Sequence, residues 1–152
     1  MPHPLFEKTY AIFRLSPFGS PKIKAVKKEQ KHYHYDWNLV ENEGPRFENL
    51  IACHLLKWVH WNYDTQGEDW DLRYYRDPAG REVDFVVTNK TKPILLLECK
   101  LSDDAINPAL SYLKNKFPKT PAYQISLRGK KDYISENGIR VCPAIKLLPD
   151  WI

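Results

Sequence analysis

Two stretches decide how this chain folds: Glu82-Val83-Asp84-Phe85-Val86-Val87 and Ile94-Leu95-Leu96-Leu97-Glu98-Cys99-Lys100. Each is an apolar run of strand length that carries acids where a core strand ordinarily carries none. Residues 89–93 separate the runs 82–88 and 94–100, a spacing that suits a hairpin. Symmetric closure pairs positions to a constant sum, so Asp84 faces Glu98 and Glu82 faces Lys100. Directly opposed Cβ atoms on one face lie about 4.5–5.5 Å apart. Two carboxylates at that distance repel unless a cation or a proton lies between them. Alternation puts Lys100 on the same face as Glu98. Two acids and a lysine on one face are the groups of a divalent-metal phosphodiesterase site.

The flanking sequence supplies an α/β setting. Asp71 to Arg76 reads as a strand and Asp77-Pro78-Ala79-Gly80 as a tight turn. Gly44-Pro45 opens a helix over 46–60 with an apolar stripe of Phe47, Leu50, Ile51, Leu55 and Trp58, and Asp64 to Trp70 reads as a polar loop. Asn107-Pro108 supplies an N-cap and a proline at N1 for a short helix that buries Leu110, Leu113 and Phe117 and ends before Pro118. Ala122 to Leu127 reads as a strand, and Ile139 to Val141 as a last short one. Leu147, Leu148 and Trp151 form a packed tail. Val83, Phe85, Val87, Leu95 and Leu97 are expected on one face of the sheet, and Val86, Ile94 and Leu96 on the other. A sheet apolar on both faces is covered on both.

The chain has 152 residues, enough for one domain with a core, and is 43% hydrophobic and 28% charged, as a globular protein is. A net charge of +4 is compatible with an anionic partner without demonstrating one. Cys53, Cys99 and Cys142 are odd in number and widely spaced, which suits a reducing compartment. No run has the length of a membrane span and no signal-peptide pattern opens the chain, so a cytoplasmic location is expected. Residues 1–44 read as a basic and aromatic extension packing on a core domain, 45–152. Within the extension, 5–15 suits a short helix or a strand and 16–21 a loop. A basic stretch, Lys22, Lys24, Lys27, Lys28 and Lys31, then leads into His32-Tyr33-His34-Tyr35-Asp36-Trp37, whose alternation suits a strand.

Asp84 followed after thirteen residues by Glu98-Cys99-Lys100 resembles the motif of the PD-(D/E)xK nuclease superfamily. The order read above resembles its restriction-endonuclease-like core: helix, three-stranded meander, helix, strand. Members of that superfamily carry a glutamate on the first helix, a position that Glu48 matches. More closely, Arg46-Phe47-Glu48-Asn49, Tyr75-Arg76-Asp77, Glu82-Val83-Asp84-Phe85-Val86 and Glu98-Cys99-Lys100 together resemble the nuclease-like C-terminal domain of a family of prokaryotic AAA-type ATPases of unknown function. The likeness covers roughly residues 5–150. This chain has no GxxxxGK[ST] phosphate loop, so no ATPase activity follows from it.

The resemblance implies roles. Asp84, Glu98 and the main-chain carbonyl of Cys99 would ligate Mg²⁺ or Mn²⁺. Lys100 would orient water or pair with the phosphate, and Glu48 would hold a metal-bound water or a second cation. Arg76 and Gln124 would be phosphate or base contacts; apart from the resemblance, the basic stretch with its interleaved aromatics makes Lys24, Lys27 and Lys28 candidate nucleic-acid contacts. DNA, branched or single-stranded included, is the expected partner. An ATPase in trans and a second copy of the chain are further ones, and a membrane is not.

Plainer readings stand beside these. Glu98 and Lys100 suit a surface ion pair, and Glu82 a structural partner of Lys100 or Arg76. Glu48, in the first turn of its helix, complements the helix dipole. Cys99 points away from Glu98 and Lys100 and suits a small core residue, and His54 suits a core histidine. His32 and His34 share a face, with no cysteine or acid at zinc spacing. The alternative function is a non-catalytic accessory domain that binds nucleic acid or protein. A third is a folded remnant that self-associates.

Overall fold

The computed structural model describes residues 9, 11–19 and 29–151. Lys24, Lys27 and Lys28 lie outside the described residues. Two antiparallel strands, β1 (Ile12–Leu15) and β2 (Lys31–His34), form a sheet of their own, with Ile12 opposite His34 and Leu15 opposite Lys31. The segment left open between helix and strand thus contributes a strand. Phe13, Leu15 and Tyr33 point into the main core, and the rings of Phe13 and Tyr33 stack at 5.6 Å.

Helix α1 (Glu43–Gln66) follows Asn42 as N-cap and is longer at both ends than its apolar stripe suggests. Pro45 is accommodated because a first-turn N–H has no helical acceptor to lose. At the far end Gly67 adopts φ 66° and its N–H donates to Tyr63 O at 3.1 Å, a left-handed cap. The last turns carry exposed Trp61 and Tyr63, so hydrophobic pattern ends before the helix does. The buried face is Phe47, Ile51, Ala52, Leu55 and Val59, with Leu50 and Trp58 only partly buried.

The main sheet has six strands, in the order Trp70–Arg76, Glu82–Asn89, Lys92–Lys100, Ala122–Ser126, Ile139–Pro143 and Tyr133–Ile134. β3 (Trp70–Arg76), β4 (Glu82–Asn89) and β5 (Lys92–Lys100) form an antiparallel meander. Helix α2 (Pro108–Lys116) then carries the chain over to β6 (Ala122–Ser126), parallel to β5. The edge strand β7 (Tyr133–Ile134) pairs antiparallel with β8 (Ile139–Pro143), which runs parallel to β6. β7 has only two residues, both exposed, and leaves no apolar pattern to read. The class is mixed α/β, and the expected order of helix, three strands, helix and strand is present. One core, with α1, holds Phe85, Val87, Leu97 and Ile125. The other, with α2, holds Val86, Leu96 and Ile139. Two 3-10 turns, Ala144–Lys146 and Leu148–Trp151, close the chain, with Trp151 against Trp58 at 5.8 Å. Among the described residues no helix is long and apolar enough to cross a membrane.

Two irregularities shape the hairpin. Arg73 pairs with Val86 but Tyr75 with Val83, so three steps on β4 match two on β3. This bulge at Asp84–Phe85 moves Val83 off the expected face and into the α2-side core beside Val86 and Leu96. The second lies at the turn. Phe85, Val86 and Val87 pair with Leu97, Leu96 and Leu95 in the expected register, which then slips to Thr88 opposite Pro93. The connection shortens from five residues to Lys90-Thr91, with Lys90 at φ 57°.

Candidate functional site

Away from its turn, the β4–β5 ladder changes character beyond the Phe85–Leu97 pair. The N–H of Asp84 donates to Glu98 Oε2 at 3.2 Å, and the N–H of Cys99 donates to Asp84 Oδ2 at 2.9 Å. Each acid accepts a main-chain hydrogen from the opposite strand, where a carbonyl would ordinarily serve. The bulge turns Asp84 toward α1 and β2. Glu98 is 5% exposed yet fully partnered, because Oε1 accepts from Lys100 Nζ and Asn107 Nδ2, each at 2.8 Å. Asn107 also caps α2, accepting from Ala109 N at 2.9 Å, and donates to Glu82 O at 3.1 Å. The cap of one helix therefore sets the rotamer of the buried acid.

Glu48 projects from α1 to the same place. Its Oε1 accepts from Tyr33 Oη at 2.6 Å and from Lys31 Nζ at 3.2 Å. The Lys31 ammonium also lies 2.5 Å from Glu82 Oε1 and 3.7 Å from Asp84 Oδ1. Three carboxylates from α1 and β4 thus converge on one cation from β2. Arg76 holds the other side of Glu82, with Nη2 and Nε at 2.7 and 2.9 Å from Oε2.

Protonation follows from this crowding. Burial first, then Glu48 and Glu98, push Asp84 up to about 8, against the pull of Lys31 and the Cys99 N–H. Burial opposes the charge on Lys31, but Glu48, Asp84 and Glu82 outweigh it and hold the ammonium above its ordinary value. Burial and then Glu48 drive the Tyr33 phenol far up, so it stays a donor. Burial opposes Lys100 as well, and its hydrogen bond to Glu98 raises it nonetheless. Burial would raise Glu82, but Lys31 and Arg76 bring it below the usual range.

Glu48, Asp84, Glu98 and Lys100 line one concavity of about 370 Å³ together with Pro45 and Asp104. An adjoining one of about 400 Å³ shares Glu48 and is lined by Lys31, His32, His34 and Asn49. The structure thus gathers the four residues that the sequence singles out. Cys99 packs at the edge of the larger core and lines the same concavity as Lys100, rather than lying apart from it. Glu82 takes Arg76 rather than Lys100. Gln124 is a correction: it is 1% exposed, donates to Asp104 O and Ala105 O, and accepts from Asn107 N, so no polar atom is left for a nucleic acid. The main chain of His34 is held by Asn49, whose Oδ1 and Nδ2 lie 2.9 and 2.7 Å from His34 N and O. His54 is half-buried on Leu148 O at 3.0 Å.

Sequence reasoning missed Lys31, Tyr33 and the second duty of Asn107. The only signal for the first two was their shared parity in the alternating run after the basic stretch. As a cation site, three convergent carboxylates have the hard-oxygen chemistry that Mg²⁺ or Mn²⁺ takes. Glu48 and Glu82 stand at hydrogen-bond distance from Lys31 and Asp84 at ion-pair distance, and among the described residues no three His, Cys, Asp or Glu side chains form a ready metal cage.

A family model described as a domain of unknown function, DUF4143, matches residues 43–147. The chain belongs to the DUF4143 family. That domain is found at the C-termini of AAA-type ATPases. No curated protein and no solved structure matches the chain. The DUF4143 match contains Glu48, Glu82, Asp84, Glu98 and Lys100, whereas Lys31 and Tyr33 both come from β2, which precedes it.

Proposed function

We propose that this DUF4143 domain is a metal-dependent nuclease, or a nuclease-like domain, that hydrolyses DNA phosphodiester bonds. The observation that carries the reading is one concavity lined by Glu48, Asp84, Glu98 and Lys100, where the β4–β5 ladder gives way to side-chain acceptors. The order of α1, the meander, α2 and β6 supports a restriction-endonuclease-like core. Asp84, Glu98 and the Cys99 carbonyl would hold Mg²⁺ or Mn²⁺, which when bound stabilises charge on the phosphate and lowers the pKa of water. Lys100, fixed by Glu98, presents its ammonium to a phosphate oxygen or orients the attacking water. Glu48 accepts a hydrogen bond from that water, and Arg76, partly exposed, contacts the DNA backbone. An ATPase in trans and a second copy of the chain are the further partners of this reading.

One observation favours a second reading, a non-catalytic accessory domain that binds nucleic acid or protein: each acid of the cluster already has a protein donor. The test is incubation with supercoiled, single-stranded and branched DNA in Mg²⁺ or Mn²⁺ against EDTA, with Lys100→Ala alongside. Metal-dependent cleavage that Lys100→Ala loses supports the nuclease. Absence of cleavage by the folded chain on all three substrates supports the accessory domain.

A further inference from the structure

We propose that Lys31 is the resident cation of the acid cluster: its ammonium takes the place of a divalent ion, and a metal enters only when that ammonium leaves. The ammonium is shared by Glu82, Glu48 and Asp84 at 2.5, 3.2 and 3.7 Å. Lys100, the lysine of the motif, is bound to Glu98. Lys31 is also anchored. Tyr33, two residues on and on the same face, donates to Glu48 at 2.6 Å, and Asn49 grips both main-chain groups of His34. β2 is therefore clamped to the first turns of α1 through the site itself. The acids lie within the family match of residues 43–147, and the lysine that neutralises them lies outside it. The cation is delivered by a strap that precedes the matched segment.

The two occupants exclude each other. A hard divalent ion draws its oxygen ligands to about 2.0–2.6 Å, and two cations within a few Å repel strongly in a partly buried site. The Lys31 ammonium is accordingly autoinhibitory, and its presence governs whether the cluster takes a metal. This inference goes beyond hydrolysis, and its test reads binding, so its failure is separate from that of the nuclease reading.

The probe is Mn²⁺ alone, titrated calorimetrically into the whole chain as wild type, Lys31→Met and Lys31→Arg. Lys31→Met is expected to bind Mn²⁺ at least about tenfold more tightly than wild type, since one blocking charge is gone. Lys31→Arg is expected to stay as weak as wild type, and Asp84→Asn added to Lys31→Met to remove the gain. Equal affinity in wild type and Lys31→Met, no binding by folded Lys31→Met, a gain in Lys31→Arg, or a gain that survives Asp84→Asn overturns the proposal. Should Lys31→Met fail to fold in EDTA, folding restored by millimolar Mn²⁺ supports it, because the metal then does the work of the ammonium. Failure to fold in both buffers overturns it.

Discussion

Asp84 sits where three influences meet: burial, two neighbouring carboxylates, and the lysine that compensates them. Its folded pKa of about 8 lies above the ordinary 3.8. Between those values the folded chain keeps a proton that the unfolded chain gives up, so the contribution of Asp84 to stability falls as pH rises from about 4 to about 8. Asp84→Asn is therefore predicted to raise the melting temperature relative to wild type at pH 8 and to leave it nearly unchanged at pH 4. Thermal melts at the two values check this, and an equal shift at both would contradict it. Asn107 gives a second prediction at this scale. Asn107→Ala removes a helix cap and a donor to the buried Glu98, so about 1–3 kcal/mol of stability should be lost in urea unfolding. Asn107→Ser, which keeps the cap, should recover part of it. A loss under about 0.5 kcal/mol would show that Glu98 does not depend on this donor. Asp84, Glu98 and Lys100 are legible in sequence because acids within apolar strands violate the local pattern. Lys31 is not, because its partners lie on elements distant in the chain and a lysine after other lysines looks solvated.

At the scale of elements, hydrophobic period and turn chemistry place α1, the meander, α2 and β6, and they fail at ends and bulges. The bulge at Asp84–Phe85 leaves no mark in composition, yet it decides which face Val83 and Asp84 take. The exposed last turns of α1 obey the Gly67 cap rather than any apolar stripe. α1 is also tied to the C-terminal turn through His54, whose pKa is lowered by burial, with Leu148 O pulling up and Lys57 pulling down. A histidine with a folded pKa below its unfolded value contributes stability in full above about pH 6.5 and loses it as pH falls through the folded value. Wild type should lose melting temperature between pH 7.5 and 5 more steeply than His54→Gln. Equal slopes would mean that the contact of α1 with the last turn does not respond to protonation.

For the whole molecule, the sheet brings the ends of β4 and β5 to the first turns of α1, and β1–β2 closes over them. Four carboxylates, Glu48, Glu82, Asp84 and Glu98, gather there, and Lys31, Arg76 and Lys100 answer them. The acids belong to the family domain and the strap precedes it. On this account the cluster is a hydrolytic site whose cation position is guarded. The most direct test is the rate of Mn²⁺-dependent nicking of supercoiled DNA by wild type, Lys31→Met and Asp84→Asn at equal protein concentration. Lys31→Met should be fastest, wild type slower, and Asp84→Asn at least about a hundredfold below wild type, as loss of a group that stabilises the transition state does. Equal rates in all three, or no nicking by folded Lys31→Met, would contradict it.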